Sequence, residues 1–162
     1  MKPTKYFTMI VFAVVLCCAA SAQETEIKRK DVPRIILAAF DKAYSTVKVL
    51  EWEKEIHGGK LYYEAETVDG KISRNLLYAP DGTLAQITEK VDSMALPVAV
   101  TDRIKQQYPT ATIRAAYKVT HADLIEYSIA LSGRGPKKIV ANAEGTIVST
   151  DGKTALERAE GR

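Results

Sequence analysis

The feature that most constrains this chain is that it matches itself. Val32-Pro33 returns as Leu96-Pro97, 64 residues on (32 to 96), and the same spacing carries Ile36 to Val100, Phe40 to Ile104, Tyr44 to Tyr108, Val49 to Ile113, His57 to His121 and Tyr63 to Tyr127. Asp81-Gly82-Thr83-Leu84 answers to Glu144-Gly145-Thr146-Ile147 at a spacing of 63 (81 to 144), one residue having dropped out near the loop Gly133-Arg134-Gly135-Pro136. A period held at proline, tyrosine, histidine and turn-glycine positions reads as a duplicated supersecondary unit, with the deletion in a loop, where deletions are tolerated.

Each copy opens with a helix, because proline in a first turn needs no hydrogen-bond donor. Val32, Ile36, Ala39, Phe40 and Ala43 in the first copy, and Leu96, Val100 and Ile104 in the second, fall at helical spacing. Strands follow, punctuated by Gly58-Gly59, Asp69-Gly70, Pro80-Asp81-Gly82 and Glu144-Gly145, residue pairs that tolerate the positive φ of tight turns. The expected fold is therefore α+β: two tandem repeats, residues 32–95 and 96–152, each a helix packed on an antiparallel meander of three to four strands, together forming one domain. Residues 23–31 read as a linker, and residues 153–162 as a polar tail that frays.

Ahead of the repeats, Lys2 and Lys5 precede an uncharged run from Tyr6 to Leu16, and Ala20-Ser21-Ala22 places small side chains where a signal peptidase needs them. Residues 1–22 thus read as a signal peptide cleaved before Gln23, shorter in its apolar run than the ~20 residues that span a bilayer. Leu16 before Cys17, and Cys17 before Cys18, lack the small residue expected before a lipidated cysteine. Cys17 and Cys18 are the chain's two cysteines, so the mature protein has neither disulfide nor thiol chemistry. Removing Lys2 and Lys5 leaves 21 basic against 20 acidic residues, a balance that gives no reason to expect nucleic acid.

Taking Gly58-Gly59 as a two-residue turn sets Trp52 opposite Ala65, Lys54 opposite Tyr63 and Ile56 opposite Leu61; Asp69-Gly70 as a turn sets Tyr63 opposite Leu76. Trp52, Ile56, Leu61, Tyr63, Ala65, Ile72, Leu76 and Tyr78 then share an apolar inner face suited to the helix. The outer face carries Glu51 opposite Glu66, Glu53 opposite Glu64 and Glu55 opposite Tyr62. Facing like charges are destabilising, so that side is expected to be solvated and acidic. In the second copy Ala116, Lys118, Ile125, Tyr127, Ile129 and Leu131 point inward. Tyr117, Val119 and Glu126 point outward, making an aromatic and apolar patch. The candidate binding residues are Glu51, Glu53, Glu55, Tyr62, Glu64, Glu66, Tyr117, Val119 and Glu126.

Val32-Pro33, Tyr44, Val49-Leu50-Glu51-Trp52-Glu53, Tyr63-Glu64-Ala65, Asp81-Gly82, Leu96-Pro97, Tyr108-Pro109, Tyr127 and Glu144-Gly145 together resemble the PepSY-like family of exported bacterial proteins, which is similar to β-lactamase inhibitor proteins (BLIP) in its tandem helix-plus-sheet units. The resemblance spans residues 32–152. It implies a periplasmic or secreted non-enzymatic protein, an inhibitor of an extracytoplasmic hydrolase acting through its sheet face and loops. No inhibitory loop carries over residue by residue, and Ala116 stands where the first copy has Trp52.

Catalytic readings are weaker on the residues themselves. His57 and His121 read as turn residues of their own hairpins without a third ligand. The facing glutamates read as a solvated surface rather than a general acid and base, with a weak calcium site the next reading. No catalytic residue, metal or cofactor is therefore expected. The partner is expected to be an extracytoplasmic protein, with no membrane contact after signal cleavage. The alternative to a binding or inhibitory module is a structural or assembly module of the cell envelope.

Overall fold

A computed structural model describes residues 24–161, so the expected signal peptide and its cleavage point lie outside the described residues. Nine strands follow one another: β1 (Thr25–Ile27), β2 (Lys48–His57), β3 (Lys60–Asp69), β4 (Ile72–Tyr78), β5 (Leu84–Val91), β6 (Thr112–His121), β7 (Leu124–Ser132), β8 (Lys138–Asn142) and β9 (Ile147–Ser149). Among the described residues three α-helices accompany them: α1 (Arg34–Tyr44), α2 (Val98–Gln107) and α3 (Ala155–Glu160).

The expectation of two tandem helix-plus-meander repeats is overturned. All nine strands join one antiparallel sheet in the order β1 to β9. The junction that was to separate two meanders is a continuous ladder, with β5 pairing β6 from Ile87↔Thr120 to Val91↔Ala116. The physical reason lies in β5, whose other edge already pairs with β4. A strand of that length left at an edge would expose a row of unpaired N–H and C=O groups, and pairing with β6 satisfies them.

The helices start where the prolines direct, with Pro33 and Pro97 capping rather than inside the first turn. The Pro33 carbonyl accepts the N–H groups of Ile36 and Leu37, and that of Pro97 accepts those of Val100 and Thr101. Ile36 and Phe40, one turn apart on α1, are buried on the inner face with Trp52, Tyr63, Ala65 and Leu76. The Phe40 ring meets Trp52 edge-on at 5.4 Å between centroids, a favoured aromatic geometry. On α2, Val100 and Ile104 pack with Ala116, Ile129, Leu131 and Ile139. Two basic side chains, Lys54 and Arg74, also lie on the inner face: Lys54 is 5.9 Å over the Tyr63 ring, and Arg74 pairs with Glu89 at 2.6 Å.

The β2–β3 register follows the glycine turn, with Trp52↔Ala65, Glu53↔Glu64, Lys54↔Tyr63 and Glu55↔Tyr62. The β3–β4 pairing differs by two residues: Asp69 pairs with Ile72, so Gly70-Lys71 makes the turn and Tyr63 meets Tyr78. A two-residue slide conserves the parity of the strand, so the side chains keep their faces.

Both flanks of the domain are more ordered than expected. The segment read as a linker contains β1, whose Glu26 pairs with Glu53 and whose Ile27 pairs with Trp52. Arg29 then makes a two-pronged ion pair with Asp41 of α1 at 2.7 and 2.8 Å. The segment read as a fraying tail forms α3, which crosses the outer face of the sheet.

Candidate functional site

The outer face is built by alternation. Glu51, Glu53, Glu55 and His57 project from β2, Tyr62, Glu64 and Glu66 from β3, Asn75 and Leu77 from β4, Gln86 and Thr88 from β5, Tyr117 and Val119 from β6, and Glu126 and Ser128 from β7, as the pairings Glu64↔Leu77, Leu77↔Gln86, Thr88↔Val119 and Val119↔Glu126 require. The candidate residues therefore do share one side of the sheet. They do not share one environment, because α3 divides the face.

Under α3 the expected exposure fails. Tyr62 and Glu55 are 6% exposed, Glu126 3% and Val119 2%. Leu156, the buried residue of α3, packs against Tyr62 and Leu77, with Ala79 and Ala85 beside them. The Glu126 carboxylate accepts the backbone N–H of Ala155 at 2.9 Å and pairs with the Arg158 guanidinium. It thereby neutralises one of the free N–H groups at the start of the helix as well as the arginine. At the far end Tyr62 donates its hydroxyl to Glu160, which also lies 3.6 Å from the Lys60 ammonium. Burial, followed by the hydrogen bond and charge of Glu160, pushes the Tyr62 phenol up to about 12. Gly58 permits this approach: its φ is +55°, and a β-carbon there would stand 2.5 Å from that of Glu160.

Leu156, Arg158 and Glu160 were not among the candidate residues, although a local signal for them exists. Lys153-Thr154 precede a run in which Glu157 sits three residues after Thr154, and the Glu157 carboxylate accepts the Thr154 N–H at 2.7 Å. This is the start signature of a helix. Nothing local says that the helix would land on Tyr62 and Glu126, since those contacts join residues 98 and 32 positions apart.

Beyond α3, Glu51, Glu53, Glu64, Glu66 and Tyr117 are half-buried and form the open part of the face. Among the described residues, the ion pairs leave Glu51, Glu53, Glu64 and Glu66 without a lysine or arginine. Their acidity responds accordingly. Burial and then the charges of Glu51, Glu24, Glu55 and Glu66 raise the Glu53 carboxyl to about 7. Glu64 is raised further, first by burial and then by Glu55, against the lowering effect of the hydrogen bond from Asn75. Glu51 is also raised, by desolvation and by Glu26 and Glu66. At the boundary with α3, Glu55 meets His57 Nε2 at 2.5 Å, and that hydrogen bond holds the imidazole above its ordinary range despite burial.

Carboxylate oxygens of Glu53, Glu55 and Glu64 come within 4.8 Å of one another. Three oxygen donors suit a hard cation, but two of the three are already engaged, Glu55 by His57 and Glu64 by Asn75. His121, the other histidine considered as a ligand, places Nδ1 2.7 Å from the Ala85 carbonyl. A hollow of about 440 Å³ beside α3 is lined by Ser149, Asp151, Lys153 and Glu157, and one of about 140 Å³ lies at Leu84, Gln86 and Thr120. Neither is lined by Glu53, Glu55 or Glu64.

No family model matches the chain, and no curated protein matches it. Solved structures do resemble it in fold. A DUF2874-family protein of Bacteroides ovatus superimposes with a TM-score of 0.64 at 14% identity, over 79% of this chain and 95% of that one. A candidate periplasmic protein of Bacteroides eggerthii gives 0.63 at 16% identity, over 77% and 94%. A BLIP-like protein of Bacteroides fragilis gives 0.60 at 15% identity, over 72% and 83%. The likeness supports a BLIP-like, DUF2874-type fold and does not single out PepSY. Among the described residues no helix is long and apolar enough to cross a membrane.

Proposed function

We propose that the protein is a non-enzymatic extracytoplasmic binding module, periplasmic or secreted after cleavage near Ala22, that takes a basic protein partner on the open part of its outer sheet face. The observation that carries this reading is the row Glu51, Glu53, Glu64 and Glu66, which no lysine or arginine pairs among the described residues, with the Glu53 carboxyl raised to about 7. Like charges facing across a ladder are an expense to the free protein that a cationic partner relieves. Carboxylates steer such a partner, while Tyr117 on the same face adds a broad aromatic contact. The fold neighbours described as periplasmic and BLIP-like support the compartment and the class. Inhibition of an extracytoplasmic hydrolase is the specific form of binding we infer.

The test is to capture the partner with the mature protein from its native periplasm, identify it, and compare binding by Glu53→Lys and Tyr117→Ala. Charge reversal at Glu53 is expected to lose at least about tenfold in affinity, since close charge pairs at interfaces couple by more than 1 kcal/mol. Two folded variants that bind as the parent does would place the site elsewhere. Loss of a hydrolase activity on binding would establish inhibition.

A further inference from the structure

The outer face is half covered by a helix that has little to hold it there. α3 is six residues long, and isolated helices shorter than ~12–15 residues do not persist in water, so its helicity depends on docking. Leu156 is its one buried apolar residue, and the Glu160 side chain is 3% exposed. The rest of the attachment is hydrogen bonds and ion pairs to carboxylates, Ala155 and Arg158 on Glu126 and Tyr62 and Lys60 on Glu160. The fit is also imperfect. Gln86 Oε1 and Ser128 Oγ on this face of the sheet, and Glu160 Oε2 on the helix, are buried without a hydrogen-bond partner in the chain, a condition that weakens a contact.

We propose that α3 is a displaceable strap, and that its release extends the binding surface from the open acidic half across Glu55, Tyr62, Leu77 and Glu126. This rests on the reading of the outer face as a binding surface and supplies its regulation. The strap also shows what displaces it. A partner segment must offer a guanidinium to Glu126 in place of Arg158, and an apolar side chain to the hollow between Tyr62 and Leu77 in place of Leu156. A basic segment carrying an arginine near an aliphatic residue meets both demands and is attracted by the same glutamates as in the docked state. Residues 150–162 contain three acids, Asp151, Glu157 and Glu160, and three bases, Lys153, Arg158 and Arg162. Releasing the strap therefore changes which charges face the partner and leaves the net charge of the chain as it was.

Two measurements on the mature full-length chain test this. Hydrogen exchange of the parent is expected to show the Arg158–Glu160 amides exchanging at least about 100-fold faster than those in the centres of β3 and β7, as a separate opening unit does. Equal protection would overturn the proposal. In the second, octa-arginine is titrated at low salt into the parent, Leu156→Asn and Ala159→Pro. The proline breaks α3 at an exposed position and alters no residue of the sheet. Both variants are expected to keep the sheet's circular dichroism and the Trp52 fluorescence, and to bind about tenfold more tightly than the parent. Binding equal to the parent's, or loss of the sheet signal in both variants, would overturn the strap. If no protein binds octa-arginine but the α3 amides exchange fast, release stands and the acidic-face reading is what fails.

Discussion

The phenol of Tyr62 on β3 donates a hydrogen bond to Glu160 of α3, 98 residues further along the chain. That contact makes Tyr62 a residue of a buried interface rather than of an open sheet surface, and it changes what substitution there should do.

Truncating Tyr62 to alanine is expected to destabilise the protein by about 3–5 kcal/mol, the range for a buried aromatic. Tyr62→Phe keeps the ring against Leu156 and loses only a hydrogen bond to a charged group, at about 1.5–3 kcal/mol. Glu66→Ala, on the open part of the same strand, should stay within about 0.5 kcal/mol. Urea denaturation of the three variants measures all of this. A neutral Tyr62→Ala would mean that α3 contributes nothing to the folded state.

Stability is expected to fall as pH rises from about 5 to about 8. The Glu53 carboxyl goes from its ordinary 4.5 when unfolded to about 7 when folded, and Glu64 and His57 are raised as well. A group raised on folding binds its proton more tightly in the native state. Its contribution is complete below the unfolded pKa and is lost as pH climbs through the folded one. Melting temperature against pH checks the slope. In Glu64→Gln, which keeps the hydrogen-bonding shape without the titration, the decline should be shallower.

Trp52 is the chain's one tryptophan and is 4% exposed beneath Phe40. Its fluorescence therefore reports unfolding of the inner core. Trp52→Phe should cost less than Trp52→Ala, for which about 3–5 kcal/mol is expected. Trp52 Nε1 is buried without a partner, so phenylalanine discards no hydrogen bond. Equal losses in the two variants would point to a role for the indole nitrogen.

Chelation should leave the melting temperature unchanged. Glu55 and Glu64 already engage His57 and Asn75, and a cation would have to displace both contacts to gather the three carboxylates. A drop of several degrees in EDTA, reversed by calcium, would show that the three carboxylates hold a cation instead.

The hairpin geometry was legible because it is local. A glycine pair of fixed length sets the β2–β3 register, and a side-chain period of two then assigns Trp52 and Tyr63 to one face and Glu53 and Glu64 to the other. Even the two-residue slide of β4 left those faces intact, since parity survives it. Helix starts at Pro33 and Pro97 are equally local, being set by the missing proton on each proline nitrogen. Sheet continuity and the cover of the outer face are of another kind. Whether β5 ends one meander or joins β6 depends on which free edge is nearest once the chain has closed, and the pattern of either strand is the same in both cases. The capping residues Thr154 and Glu157 announce a helix, but where it lands depends on a buried carboxylate at Glu126 and a phenol at Tyr62 that approach it only in the folded chain. Sequence alone thus determined which side chains share a face. Tertiary structure decided which of them meet solvent, because burial belongs to pairs of surfaces brought together and is not a property of either one.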